Sequence, residues 1–224
     1  LHRPFRRQRQ MCIRDREMSD SMKADFCITH FFNPVRFMRL LEIVETPTMN
    51  KDKMDGLRDF CKNELGKGIV NCNDTPGFIG NRIGVYAMQV AMYEALERGL
   101  PVEIADALFG RPLGIPKTGV FGLYDLIGID LMKDVLASFK KELQENDPFM
   151  DVVKPHPLVE QLLEKGFNGN KGPGGFYQTT IVEGDEHVKA MNTSDMSYYD
   201  FDKVDLEIAR RVEKEGIKAL LDDD

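Results

Sequence analysis

The chain has 224 residues, of which 42% are hydrophobic and 30% charged, and its formal charge is −7. That length allows one large domain or two small ones, and the balance of apolar and mixed charged residues is that of a globular protein, with no apolar run near the roughly 18 residues of a membrane-crossing helix. Residues 1–16 carry six Arg and one Asp, net +5, so the rest is −12, and an acidic body argues against nucleic acid or an anionic membrane as partner.

In chain order, the basic start contains "MCIRDR", which resembles a translated sequencing-adapter scar. Residues 1–21 are therefore read as a non-native or disordered segment, and no secretory apolar core follows them. "ADFCITHFF" is apolar and aromatic and stops at Asn33-Pro34, the pattern of a strand and turn. "RFMRLLEIVET" ends in a second strand-like run before Thr46-Pro47. Met54, Leu57, Phe60, Cys61 and Leu65 recur every three to four residues, which predicts a helix ending near Gly66. "GIVNCND" reads as a short strand. Strand, strand, helix, strand is part of an α/β sheet, and the segment spans 22–73.

From Asp74 the character changes. Asp74 or Thr75 can cap a helix with Pro76 in its first turn, and Phe78, Ile79, Ile83, Ala87, Val90 and Ala91 follow with helical period. "PVEIADALFG", "LYDLIGIDLMKDVLASFKKELQEN" and "HPLVEQLLEKGF" are helical too. Residues 74–178 are thus expected to form an all-α domain ending in the glycine-rich loop "NGNKGPGGFY". Residues 178–224 hold 13 acids and 6 bases, and 179–224 reads as an acidic tail or linker. Cys12, Cys27, Cys61 and Cys72 form no CxxC, so reduced cytoplasmic thiols are expected, with neither a disulfide frame nor a metal site.

Two residues carry candidate chemistry. A lone histidine at a strand end, His30, is more often structural than a base. Glu42, flanked by Leu40, Leu41, Ile43 and Val44, is costly to bury without a partner. If the two strands are neighbours, His30 is that partner, and a carboxylate on one imidazole nitrogen fixes the tautomer and raises the basicity of the other. That would be a general acid/base unit. A solvated strand face for Glu42 stays open at this point.

"HFFNPVRFMRLLEIVE", "DTPGFIGNRIGVYAMQVAMYEAL", "GLYDLIGID" and "KGPGGFY", in this order and spacing, resemble the 3-hydroxyacyl-CoA dehydrogenases of fatty acid β-oxidation over residues 24 to 178. The resemblance implies the last strands of a Rossmann-type sheet that binds NAD, followed by an all-α C-terminal domain that dimerises. It implies an acyl-CoA substrate, His30 as the base that takes the 3-hydroxyl proton, Glu42 as the residue orienting it, and Asn81 as a partner of the substrate oxygen. It places Asn33 and Lys171 near the cofactor.

The dinucleotide fingerprint G-x-G-x-x-G, expected upstream of His30 in that family, does not occur in the sequence. The chain is therefore expected to be a fragment that does not turn over substrate alone. "PKTGVFGLYDLIG" and the acidic end resemble the long bacterial forms that continue into an enoyl-CoA hydratase-like part. Two other readings remain at this stage: a non-catalytic helical dimerisation module, and a related dehydrogenase acting on 3-hydroxybutyryl-CoA or another 3-hydroxy acid.

Overall fold

The first unit, Leu1–Val85, is organised by three strands: β1 (Cys27–Phe31), β2 (Leu40–Glu45) and β3 (Gly68–Asn71), in the order β1-β2-β3. They belong to a computed structural model that describes residues 18–113, 117–154, 156–202, 204–216 and 218. β1 runs antiparallel to β2, and β3 parallel to it. All three are where the apolar runs place them.

β2 is covered on both faces. Alternation of side chains along a strand sends Leu41 and Ile43 into a cluster with Met54 and Cys61, and Val44 to the opposite side against Phe78. Glu42 shares the Val44 side. Full burial of each such aliphatic side chain stabilises the unit by about 1.5–3 kcal/mol. The expected helix begins as α2 (Lys51–Asp59), where Asn50 accepts from the N–H of Lys53. It continues as a π-helical turn over Phe60–Glu64 and stops at Gly66, whose φ of +63° suits glycine.

Two expectations for this unit need correction. Part of the segment expected to be non-native or disordered is helical: α1 (Asp20–Lys23) is capped by the Ser19 hydroxyl, while residues 1–17 lie outside the described residues. The helix expected from Asp74 or Thr75 starts later, as α3 (Gly80–Glu97). Gly77 and Phe78 have φ of +78° and +46°, and left-handed residues cannot continue a right-handed helix. Phe78 accepts that conformation, which costs about 1–3 kcal/mol, while its ring is buried against Val44.

The second unit is Tyr86–Asp224. It takes in the rest of α3, then α4 (Val102–Leu108), α5 (Phe121–Ile127), α6 (Ile129–Glu142) and α7 (Pro157–Glu164). Phe121, Tyr124, Met132, Phe139, Phe149, Leu162 and Phe176 are buried in it. Ring contacts join Phe121 to Phe176 and Phe139 to Phe149, at 4.6 and 4.7 Å between centroids.

The acidic tail is not a bare linker. It holds an antiparallel sheet of β4 (Tyr177–Val182), β5 (Asp185–Met191) and β6 (Tyr198–Asp200), then α8 (Glu207–Glu215). Glu183 and Gly184 join β4 to β5 with φ of +54° and +96°, as a two-residue hairpin requires. The sheet is anchored at its inner end, where Ala190 and Met191 are fully buried and the Met191 N–H bonds the Phe176 carbonyl at 2.9 Å.

The glycine-rich loop wraps a buried side chain. A Cβ on Gly169 would lie 2.4 Å from the Asp125 backbone, and one on Gly175 2.0 Å from Asp125 Oδ1. Glycine is what lets the loop approach so closely. Asp125 in turn accepts from the N–H groups of Phe176 and Tyr177, at 3.0 and 2.7 Å.

Candidate active site

Register brings the first pair together. His30 stands directly opposite Glu42 across the β1–β2 ladder, so both side chains leave the same face of the sheet. Nδ1 of His30 lies 2.7 Å from Oε2 of Glu42. The Glu42 side chain is 1% exposed and that of His30 30%. A buried carboxylate therefore holds an imidazole that still reaches solvent.

The other oxygen of Glu42 is occupied as well. Oε1 accepts from the backbone N–H of Ile79 at 2.9 Å and of Gly80 at 2.6 Å. The Cys72 thiol is also within reach, with Sγ 3.7 Å away. Burial first, then the Glu42 charge, pushes that thiol above its ordinary value, so it serves as an S–H donor rather than a thiolate. The two N–H groups come from the end of the left-handed turn and the first residue of α3, which leave backbone donors unpaired within the helix.

The Ile79 and Gly80 N–H groups and the Cys72 S–H donate to Oε1, and an ionised carboxylate can only accept on Oε2 as well. His30 Nδ1 then carries the hydrogen and Nε2 is the accepting nitrogen of the neutral ring. Among the described residues Nε2 has no hydrogen-bond partner. Phe32 meets the imidazole edge-on with centroids 4.7 Å apart, and Phe78 lies at 5.8 Å. Chemically this is an oriented proton acceptor with one free nitrogen.

The remaining expected residues fall in different places. Asn81 follows Gly80 in α3, so its backbone starts beside the pair; its side chain is half-buried and makes no hydrogen bond among the described residues. Asn33 is exposed in the turn after β1. Lys171 belongs to the second unit, where its Nζ stands 3.8 Å from Asp130 Oδ1 and its side chain is 47% exposed. Sequence reasoning missed the Ile79 and Gly80 N–H groups, Cys72 and the two flanking phenylalanines. Pro76-Gly77 is a turn signal, and it competes with the helix cap that Asp74 or Thr75 offers just before it.

Among the described residues no helix is long and apolar enough to cross a membrane.

Comparison with known proteins supplies the context. Residues 13–75 match the family model for the 3-hydroxyacyl-CoA dehydrogenase NAD binding domain, and residues 77–179 match that for the 3-hydroxyacyl-CoA dehydrogenase C-terminal domain. The first match begins inside the segment read as non-native. A putative fatty acid oxidation complex trifunctional enzyme of Rickettsia felis is 39% identical over 189 residues, 84% of this chain and 26% of the relative. A probable 3-hydroxyacyl-CoA dehydrogenase of Bacillus subtilis is 37% identical over 160 residues, 71% of this chain and 20% of the relative. The chain thus spans about a quarter or less of the length of these curated relatives. Among solved structures, FadB2 of M. tuberculosis is 30% identical with a TM-score of 0.56, over 68% of this chain and 51% of that one.

Proposed function

The chain belongs to the 3-hydroxyacyl-CoA dehydrogenase family, and from that premise we propose that it contributes the proton-handling residues of an NAD-dependent oxidation of (3S)-3-hydroxyacyl-CoA to 3-oxoacyl-CoA in fatty acid β-oxidation. The observation that carries the reading is the His30–Glu42 bond of 2.7 Å, with Glu42 held on its far oxygen by two N–H groups.

The residues present fit the acid/base half of this chemistry. The sequence has no G-x-G-x-x-G turn to cradle a pyrophosphate, and Asn33, exposed after β1, is assigned to the cofactor by family resemblance. NAD, when bound, supplies the hydride acceptor. His30 Nε2 accepts the 3-hydroxyl proton as C3 loses its hydride. Glu42 keeps Nδ1 protonated before the transfer and stabilises the imidazolium after it, as the carboxylate of a hydrolase triad does. Asn81, at the start of α3, is proposed to bond the substrate oxygen. Lys171 is proposed to contact the cofactor.

The same reading places the protein in the cytoplasm as a homodimer joined through helices of the second unit. A longer product with a hydratase-like part is proposed from the resemblance of "PKTGVFGLYDLIG" and the acidic end to the long bacterial forms.

The test is turnover of a graded series of 3-hydroxyacyl-CoAs with NAD, run on the chain and on the product of its full reading frame. Activity in that product, lowered about 10²–10⁴-fold by His30→Gln, is the expected result. A product that makes no NADH with any acyl-CoA overturns the reading.

A further inference from the structure

One glycine at the His30–Glu42 pair acts on both partners. The Gly80 N–H donates to Glu42 Oε1 at 2.6 Å. A Cβ on Gly80 would lie 2.4 Å from Cζ of Phe32 and 3.0 Å from Cε1, well inside the roughly 3.5–4.0 Å at which carbons make contact. Phe32 is the ring that meets His30 edge-on, at 4.7 Å and 61°. The backbone of residue 80 thus bonds the carboxylate, and the space above its Cα holds the ring that flanks the imidazole. All four residues lie in the first unit.

The χ2 torsion of a histidine is broad and roughly two-fold, so one hydrogen bond does not by itself fix the plane of the ring. An aromatic ring packed at 61° against it removes that freedom. We propose that Gly80 and Phe32 are positioning residues for His30: the missing side chain at position 80 admits the Phe32 ring, and that ring holds the imidazole so that Nδ1–H stays on Glu42 and Nε2 stays free. The catalytic meaning of a free Nε2 rests on the proposed function. The geometry does not.

The test is a double-mutant cycle read by NMR on the full chain, through solvent exchange of the His30 Nδ1–H and the ring nitrogen shifts. Gly80→Ala drives the Phe32 ring off its position and raises the exchange about tenfold, the worth of a side chain forced off its preferred rotamer. Phe32→Leu raises it as well. Gly80→Ala added to Phe32→Leu then changes little, because the ring it strikes is gone. Gly84→Ala, in the same helix where a Cβ meets nothing within 4 Å, leaves the signal as in the parent chain.

No effect of Gly80→Ala, or an equal effect in both Phe32 backgrounds, overturns the proposal, since the glycine would then not act through the ring. If Gly80→Ala alone fails to fold, the double variant is expected to fold, and its failure to do so has the same consequence. The readout uses no substrate. Loss of the cycle with turnover intact sinks only this inference, and a positive cycle without turnover sinks only the proposed function.

Discussion

Glu42 separates two roles that a smaller change than deletion can pull apart. Its Oε1 accepts two N–H groups and its Oε2 accepts Nδ1–H of His30. In Glu42→Gln one oxygen remains to serve Ile79 and Gly80, and the amide NH2 faces His30. Nδ1 must then accept, the hydrogen moves to Nε2, and the ring can no longer take a proton there. The expected outcome is a kcat/KM loss approaching 10⁴-fold, as with the corresponding carboxylate-to-amide change in a hydrolase triad, with little change in the unfolding midpoint. Glu42→Ala should instead leave two part-buried N–H donors without their acceptor and lower the unfolding midpoint, at a cost of up to about 1–3 kcal/mol for each. Equal turnover in Glu42→Gln and the parent product, with equal midpoints, would remove the tautomer argument. This residue was legible in the sequence because a carboxylate inside "LLEIVE" needs a buried partner. The donors behind it were not, since backbone N–H groups have no sequence letter.

The elements show where local signals suffice and where they compete. β1, β2 and β3 follow from short apolar runs, the first two stopped by Asn33-Pro34 and Thr46-Pro47, and α2 follows from apolar period. β4 and β5 carried strand signals too, in "TTIV" and the Glu183-Gly184 turn, but 13 acids in the last 47 residues read as a solvated linker. Ile181 and Val182 are in fact largely exposed, so the hairpin is held by its inner end. There two carboxylates grip Tyr177. Asp125 accepts its backbone N–H at 2.7 Å, and Asp106 accepts its hydroxyl at 2.9 Å as well as the N–H groups of Phe121 and Gly122. Burial outweighs these donors and pushes Asp106 up to about 6 and Asp125 up to about 7. An unfolded Asp titrates near 3.9. Between roughly pH 4 and 7 the folded chain therefore keeps protons that the unfolded chain has lost, and this contribution falls as pH rises. Asp125→Asn cannot titrate, and it sets an amide NH2 against one of the N–H groups, at about 1–3 kcal/mol. Urea unfolding across that range should show the gap between parent and variant narrowing as pH rises. A widening gap would mean that Asp125 titrates low in the fold, held by its donors rather than raised by burial.

At the scale of the whole molecule, a dimer is what the family resemblance implies, and the apolar residues of the helices that would form it are mostly used within the second unit. Met88, Ala91, Met92 and Ala95 of α3 are buried, as are Met132 and Phe139 of α6. What remains between these helices and α7 is a cavity of about 190 Å³ lined by Met92, Leu136, Ala137, Val153 and Val159, with Lys133, Lys140 and Lys154 among its edges. Helix period alone could not separate core from interface, because both draw on the same residue types. Under the proposed homodimer a second copy is expected to seat at this cavity, and because a stable pair needs roughly 800 Å² from each partner, residues around it must join in. Light scattering well above micromolar concentration should return twice the mass of the chain. Ala137→Arg, at an exposed position on α6, puts a long charged side chain at the seat without removing any buried group, and should shift the protein to monomer while its thermal unfolding stays cooperative. A parent chain that is monomeric under these conditions, or an Ala137→Arg variant that still doubles its mass, would move the dimer contact away from this face or dispense with it.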